Sequence, residues 1–232
     1  HVGADRHADS PRRGTRIVAV DRRPVFADRA DAGRRLGDAL RGRVDDPVVA
    51  GIPRGGVAVA AEVAAALDAP LRAVVACKVG APGHPELALG AVGPDGAAVI
   101  DRDLVRRVGA SPRFLDDAVA AARAQVEERL GSLPGVLRAD DVDGRAVIVV
   151  DDGVATGATA AAVGQWLATT GAARRMLALP VGPADTLARL RDEYDEVVAL
   201  LAPTGAGFYA VGPWYRDFRQ VDDREVARLL AV

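Results

Sequence analysis

The sequence predicts an α/β fold with a doubly wound parallel sheet, and three observations carry that expectation. Short, apolar strand candidates alternate with stretches of helical periodicity. One of them, Val147-Ile-Val-Val150, is an unbroken β-branched run, as a strand buried on both faces should be. Four features that stand out also lie at or just after the ends of strand candidates, where ligands sit in such sheets: Pro53–Gly56, Lys78, Asp151–Thr159 and the 203–218 segment.

The elements follow in order. Ile17 to Val20 reads as a short strand. Asp28 to Arg41 reads as an amphipathic helix, with Ala32, Leu36 and Leu40 at helical spacing. Pro47 to Ile52 is a strand that runs into Pro53-Arg54-Gly55-Gly56, and Val57 to Leu67 is an Ala-rich helix. Leu71 to Cys77 is the next buried strand, ending at Lys78. Residues 79–96 read as loop from their Gly and Pro content, with Leu87–Val92 extended and Ala97–Ile100 closing a hairpin on it. Residues 102–130 read as helix, broken near Gly109, with Ser111 as cap and Pro112 in the first turn. The piece Arg113–Leu130 alternates in charge, as a solvated or protruding helix would. Strand 145–150, helix 158–169, strand 175–181, helix 184–192 and strand 196–201 complete the alternation. An aromatic-rich connection, Gly205 to Gln220, then leads to a last helix, Asp222 to Leu230.

Composition bounds the function. A chain of 232 residues that is 50% hydrophobic can bury one ample core. No apolar stretch reaches the ~18 residues of a membrane span. A net charge of −2 offers no electrostatic pull toward nucleic acid or an anionic membrane. The single Cys77 excludes an intramolecular disulfide and fits a reducing cytoplasm. Residues 1–16 are polar and Arg-rich, read as a trimmed end or a flexible arm, and stand apart from a domain over 17–232. Lys78 is the only lysine among 30 basic residues, which singles it out.

The segment after Val150 carries the chemistry. Asp151 and Asp152 end the strand, and Gly153-Val-Ala-Thr-Gly-Ala-Thr159 leads into the next helix. Small residues and a helix N-terminus offer amides to a phosphate, hydroxyls add donors, and carboxylates accept from sugar hydroxyls. The segment lacks the Gly-Lys-Ser/Thr ending of a Walker loop and the G-x-G-x-x-G of a dinucleotide fingerprint. An ordinary strand–turn–helix with two solvated aspartates is the plain alternative. At Arg54-Gly55-Gly56 the glycines let amides approach an anion and the arginine adds a planar fork of donors. A tight turn with an exposed arginine reads equally well there. Phe208, Tyr209, Trp214, Tyr215 and Phe218 concentrate rings in a chain that is 4% aromatic. They suit either stacking on a planar ligand or packing of the last helix.

The run 147–159 resembles the PRPP-binding motif of the type I phosphoribosyltransferases: an apolar strand, two acidic residues and a loop x-x-x-T-G-x-T. The resemblance implies that family's sheet with a small hood, about 203–232, and here a helical insertion, about 101–140. It implies transfer of the 5-phosphoribosyl group from PRPP to an acceptor, a nitrogen heterocycle foremost, with Mg²⁺ and release of pyrophosphate. Asp151 and Asp152 would take the ribose hydroxyls and, through them or through water, the metal. Ala155, Thr156, Gly157, Ala158 and Thr159 would cradle the 5′-phosphate. Arg54, Gly55 and Gly56 would form the pyrophosphate loop. The spacing to Lys78 and the following Pro-Gly is similar to adenine-type enzymes, whose flexible catalytic loop supplies charge to the leaving group. Residues 79–90 would then be a lid, with Glu86 or His84 handling a proton. Val154, Tyr209, Trp214 and Tyr215 would face the acceptor. Ala155 stands where hypoxanthine–guanine enzymes carry an aspartate, which argues against 6-oxopurines. The 72 residues between Lys78 and Asp151 exceed those of compact adenine enzymes. The segment order most resembles a group of predicted bacterial phosphoribosyltransferases. The family also implies a homodimer engaged in nucleotide metabolism, with PRPP and a small-molecule acceptor as partners, while the charge, the hydropathy and the single cysteine point to a cytoplasmic protein that engages neither nucleic acid nor membrane. Two other functions fit the same residues: a non-catalytic PRPP sensor, and an unrelated α/β nucleotide enzyme whose acidic pair binds metal directly.

Overall fold

The computed structural model describes residues 25–131, 133–205 and 208–231, with the side chains of Pro85 and Glu86 outside the described set. The expected N-terminal arm and the strand at Ile17–Val20 lie outside the described residues. The described elements run α1 (Arg29–Leu40), β1 (Val48–Gly51), α2 (Gly55–Leu67), β2 (Leu71–Ala73), β3 (Cys77–Ala81), β4 (His84–Val92), β5 (Ala98–Ile100), α3 (Arg102–Val108), α4 (Pro112–Leu130), β6 (Ala146–Val150), α5 (Ala158–Leu167), β7 (Arg174–Val181), α6 (Ala184–Leu190), β8 (Glu196–Leu201) and α7 (Asp223–Leu230).

Five strands form a parallel sheet in the order β2-β1-β6-β7-β8. The chain winds outward from β1 to β2, then returns to the other side of β1 and winds outward again through β6, β7 and β8. The strand order therefore reverses between β1 and β6, which pair from Val48↔Val147 to Gly51↔Val150. Loops leaving these two strands part to opposite faces, and a crevice at their carboxyl ends follows from topology.

Side-chain alternation divides the core. Val49, Ile148, Val150, Met176 and Ala178 face α1 and α2, while Val48, Val147, Val149, Leu177 and Leu179 face α5 and α6. Every residue of β6 is buried, which explains its unbroken apolar run.

Two sequence expectations need correction here. Leu71 to Cys77 is not one strand. The edge of β2 is covered at Ala73 by the 135–137 segment, whose Gly135 and Leu137 bond to Ala73 (3.0 and 2.8 Å). After a last bond from the Val74 amide to the carbonyl of Gly51 (3.0 Å) the chain leaves the sheet; Val75 and Ala76 stay apolar because they are buried, not because they pair in this sheet. Nor is 79–96 mainly loop. β3, β4 and β5 form a separate antiparallel sheet, with Pro82-Gly83 as the turn joining β3 to β4. Its glycines serve close packing: a β-carbon at Gly90 would strike the carbonyl of Val99, and one at Gly93 the ring of Trp166.

The helical stretch covers this second sheet. Asp101 caps α3 through the amide of Leu104, and the Ser111 hydroxyl accepts from the amide of Phe114 (3.2 Å) to start α4. Leu115, Ala122 and Val126 of α4 are buried against Val75, Val79, Leu89 and Val92, so α4 is amphipathic and packed along one face. At about 1.5–3 kcal/mol per buried large aliphatic side chain, that stripe fixes the helix to the sheet.

Candidate active site

The site is built where β1 and β6 end. Ile52 continues the pairing past β1, its amide donating to the carbonyl of Val150 (2.9 Å). Beyond it, the Pro53–Arg54 peptide is cis and Gly55 and Gly56 already belong to α2, two residues earlier than the sequence suggested. Both positions are dictated by close approach. A β-carbon on Gly56 would lie 2.7 Å from the carbonyl oxygen of Val150 and 2.9 Å from Cα of Asp151. One on Gly55 would overlap the carboxylate of Asp152. The turn after β1 is thus pressed onto the acidic pair, and only glycine permits it.

Asp151 and Asp152 follow β6. Oδ1 of Asp151 accepts from the amide of Asp152 (2.8 Å). Burial, followed by the charge of Asp152, pushes the Asp151 carboxyl well above the usual carboxylate range. Burial also raises Asp152, opposed by the guanidinium of Arg29. That arginine donates through Nε to Asp152 Oδ2 (2.8 Å), both side chains being largely buried at 12% and 15% exposed.

The loop beyond is anchored at two points. The Val154 amide donates to the carbonyl of Val181 (3.1 Å), the buried Thr186 hydroxyl donates to the carbonyl of Ala155 (3.0 Å), and Arg189 donates to that hydroxyl. Gly157, at φ +75°, caps α5 in a conformation that side-chain-bearing residues rarely adopt. Ala155, Thr156 and Thr159 are exposed, so hydroxyls and the first-turn amides of α5 face outward together.

The sequence-selected residues therefore fall into two groups. Asp151, Asp152, Gly55, Gly56 and the 155–159 loop converge at the switch point. Arg54 borders them, half-exposed, with NH1 3.7 Å from Asp223 at the start of α7. Lys78 lies in β3, whose sheet packs on α5 through β3 and β4. His84 opens β4, exposed, opposite Ala81. Glu86 falls within β4, and its side chain lies outside the described residues. The expected lid 79–90 is the β3–β4 hairpin.

The acceptor candidates are less uniform. Val154 is buried in the core beneath the loop. Trp214 and Tyr215 are buried with Phe26, Val181 and Leu201, so packing describes them better than stacking on a ligand. Tyr209 is 76% exposed and is the ring of this group presented to solvent. Sequence reading missed Arg29 and Thr186. Arg29 lies 123 positions from its partner, so no local pattern marks it; Thr186 carries no signal beyond being a polar residue on an otherwise apolar helix face.

Among the described residues no group of three or more His, Cys, Asp and Glu side chains could hold a metal, and no helix is long and apolar enough to cross a membrane. The two carboxylates suit a magnesium ion that keeps waters and ligand oxygens around it rather than a protein cage.

Comparison with known proteins gives the family. A "Putative phosphoribosyl transferase Rv0571c" of Mycobacterium tuberculosis is 44% identical over 210 residues, 89% of this chain. The chain spans about half the length of that relative, 46%. The crystal structure of TT1426 from Thermus thermophilus is similar at a TM-score of 0.79 and 40% identity, over 89% of this chain and 97% of that one. The phosphoribosyl transferase domain matches residues 29–204, from the arginine that holds Asp152 to the end of β8 and just beyond. The chain belongs to the phosphoribosyl transferase domain family.

Proposed function

We propose that the chain is a pentosyltransferase that moves the 5-phosphoribosyl group of PRPP onto a small acceptor, a nitrogen heterocycle foremost. The observation that carries this reading is the contact between the Gly55–Gly56 turn and the Asp151–Asp152 pair, beside the N-terminus of α5. A molecule with a diphosphate at one end, a diol in the middle and a phosphate at the other matches that order of groups.

Asp151 and Asp152 accept from the 2′- and 3′-hydroxyls. Thr156, Thr159 and the amides of 155–159 bind the 5′-phosphate. Arg54 and the amides of Gly55 and Gly56 hold the diphosphate, with Lys78 adding charge as the C1–O bond breaks and its electron pair departs with pyrophosphate. A magnesium ion held at Asp151 and Asp152, through the ribose hydroxyls or water, would supply Lewis acidity to the departing diphosphate. The acceptor nitrogen attacks C1 from the opposite face and loses its proton to a base, for which Glu86 and His84 are the candidates. Tyr209, whose ring is exposed, would stack on a planar acceptor. The working form is a cytoplasmic homodimer, as in the family.

The experiment is pyrophosphate release from Mg·PRPP across a panel of purine, pyrimidine and other nitrogen acceptors. Turnover with at least one acceptor is expected. Tight PRPP binding without turnover on any of them would favour a sensor, and protection against melting by ATP but not PRPP would point to an unrelated nucleotide enzyme.

A further inference from the structure

Asp152 is held at both its side chain and its backbone. Arg29 donates from Nε to its Oδ2, and the Tyr215 hydroxyl donates to its backbone carbonyl (2.5 Å). Arg29 in turn donates from NH1 to the carbonyl of Arg219 (2.7 Å) and lies over the ring of Phe218, 3.9 Å from its centroid. Phe218 and Tyr215 pack together, centroids 5.0 Å apart. These contacts close a ring: Arg29 to Asp152, to Tyr215, to Phe218, and back to Arg29. The ring joins the start of α1, the end of β6 and the C-terminal segment at one largely buried point.

We propose that Arg29 is a positioning residue for the ribose-binding carboxylate, and that residues 215–219 act on the sugar site through it. The proposal rests on the phosphoribosyl reading above. Arg29 takes Oδ2 and thereby turns Oδ1 toward the ribose. Its planar fork does this while reaching a carbonyl with a second nitrogen and stacking on a ring, three tasks a lysine ammonium cannot combine. Tyr215 fixes the backbone of the same aspartate, so both halves of Asp152 are oriented by chain far from it in sequence. Whatever the C-terminal segment binds is mechanically joined to the grip on the sugar.

The test is a double-mutant cycle read by calorimetric titration of Mg·PRPP into the full chain. Arg29→Gln should weaken PRPP binding about tenfold or more in the parent, the worth of a charge-assisted hydrogen bond, and less than about twofold in an Asp152→Asn background. Arg29→Lys should recover only part of the loss. Should Arg29→Gln fail to fold, Tyr215→Phe keeps the ring and removes only the hydroxyl. It should cost about threefold in the parent and nothing beyond that already lost in Asp152→Asn. Equal losses in both backgrounds would overturn the positioning role, because a merely structural arginine acts regardless of what stands at 152. If the parent chain itself does not bind PRPP, the phosphoribosyl reading falls and this proposal falls with it.

Discussion

Gly55 and Asp152 stand in contact, Gly55 opening α2 after β1 and Asp152 two residues beyond β6, so near that a methyl group on Gly55 would overlap Oδ2 of the aspartate. The same methyl would lie 3.0 Å from Nε of Arg29. The two loops of the crevice therefore share one boundary, and whatever displaces the first displaces the second.

Gly55→Ala should accordingly act on binding more than on folding. The atoms it strikes are the end of the Asp152 side chain and Arg29, which can shift together, though not without leaving the geometry the sugar needs. We expect PRPP affinity to fall about tenfold or more with a small change in melting temperature. Titration calorimetry beside a melting curve checks this, and unchanged affinity would separate the two loops.

Gly56→Ala should do the reverse. Its β-carbon would meet main chain, Val150 O and Asp151 Cα, which cannot swing aside. Overpacking of about 1–3 kcal/mol is expected, lowering the melting temperature by several degrees in a chain of this size, about 2–4 °C per kcal/mol. A melting temperature equal to that of the parent would show that β6 gives way easily.

Asp151 predicts a pH dependence. Its carboxyl titrates above its ordinary value in the folded chain because burial and Asp152 disfavour the charge. An acid raised in this way binds its proton more tightly folded than unfolded. It therefore costs stability as pH climbs from the unfolded value, 3.8, through the folded one, and the cost is complete above that. Asp151→Asn should raise the melting temperature at pH 7 to 8, with the gain shrinking as pH falls toward 3.8. A pH-independent difference would mean that the carboxyl is not strained by its charge. The same variant should lose PRPP affinity, a trade of stability for function.

Lys78→Ala should lower turnover more than PRPP affinity, the pattern of a group that works as charge develops on the leaving diphosphate. Steady-state kinetics with a productive acceptor, set beside calorimetric affinity, distinguishes this from a loss shared equally by both, which would make Lys78 an ordinary binding residue.

How far the sequence disclosed the fold depended on where each signal lay. β6, α5, β7 and β8 were legible because buried parallel strands and the helices between them leave local, periodic patterns. The acidic pair and the Thr156–Thr159 turn were legible for the same reason, since all their chemistry sits in one contiguous run. The pairing of Leu87–Val92 with Ala98–Ile100 was anticipated, but β3 and the start of β4 were read as loop because of the Gly and Pro content there; Gly90 and Gly93 are glycines because Val99 and Trp166 press against them across the fold. Leu71–Cys77 was misread because apolar burial and strand pairing leave the same trace. Arg29 and Tyr215 acquire their meaning only from partners far along the chain, and no window of sequence holds both members of either pair.

The most direct test of the central claim is a crystal structure of the chain with ribose 5-phosphate. The account predicts the phosphate on the amides and hydroxyls of 155–159, with the 2′- and 3′-hydroxyls on Asp151 and Asp152 and C1 directed toward Gly55 and Gly56. A sugar phosphate bound away from the ends of β1 and β6, or lying there with its phosphate on the Gly55–Gly56 side, would contradict it.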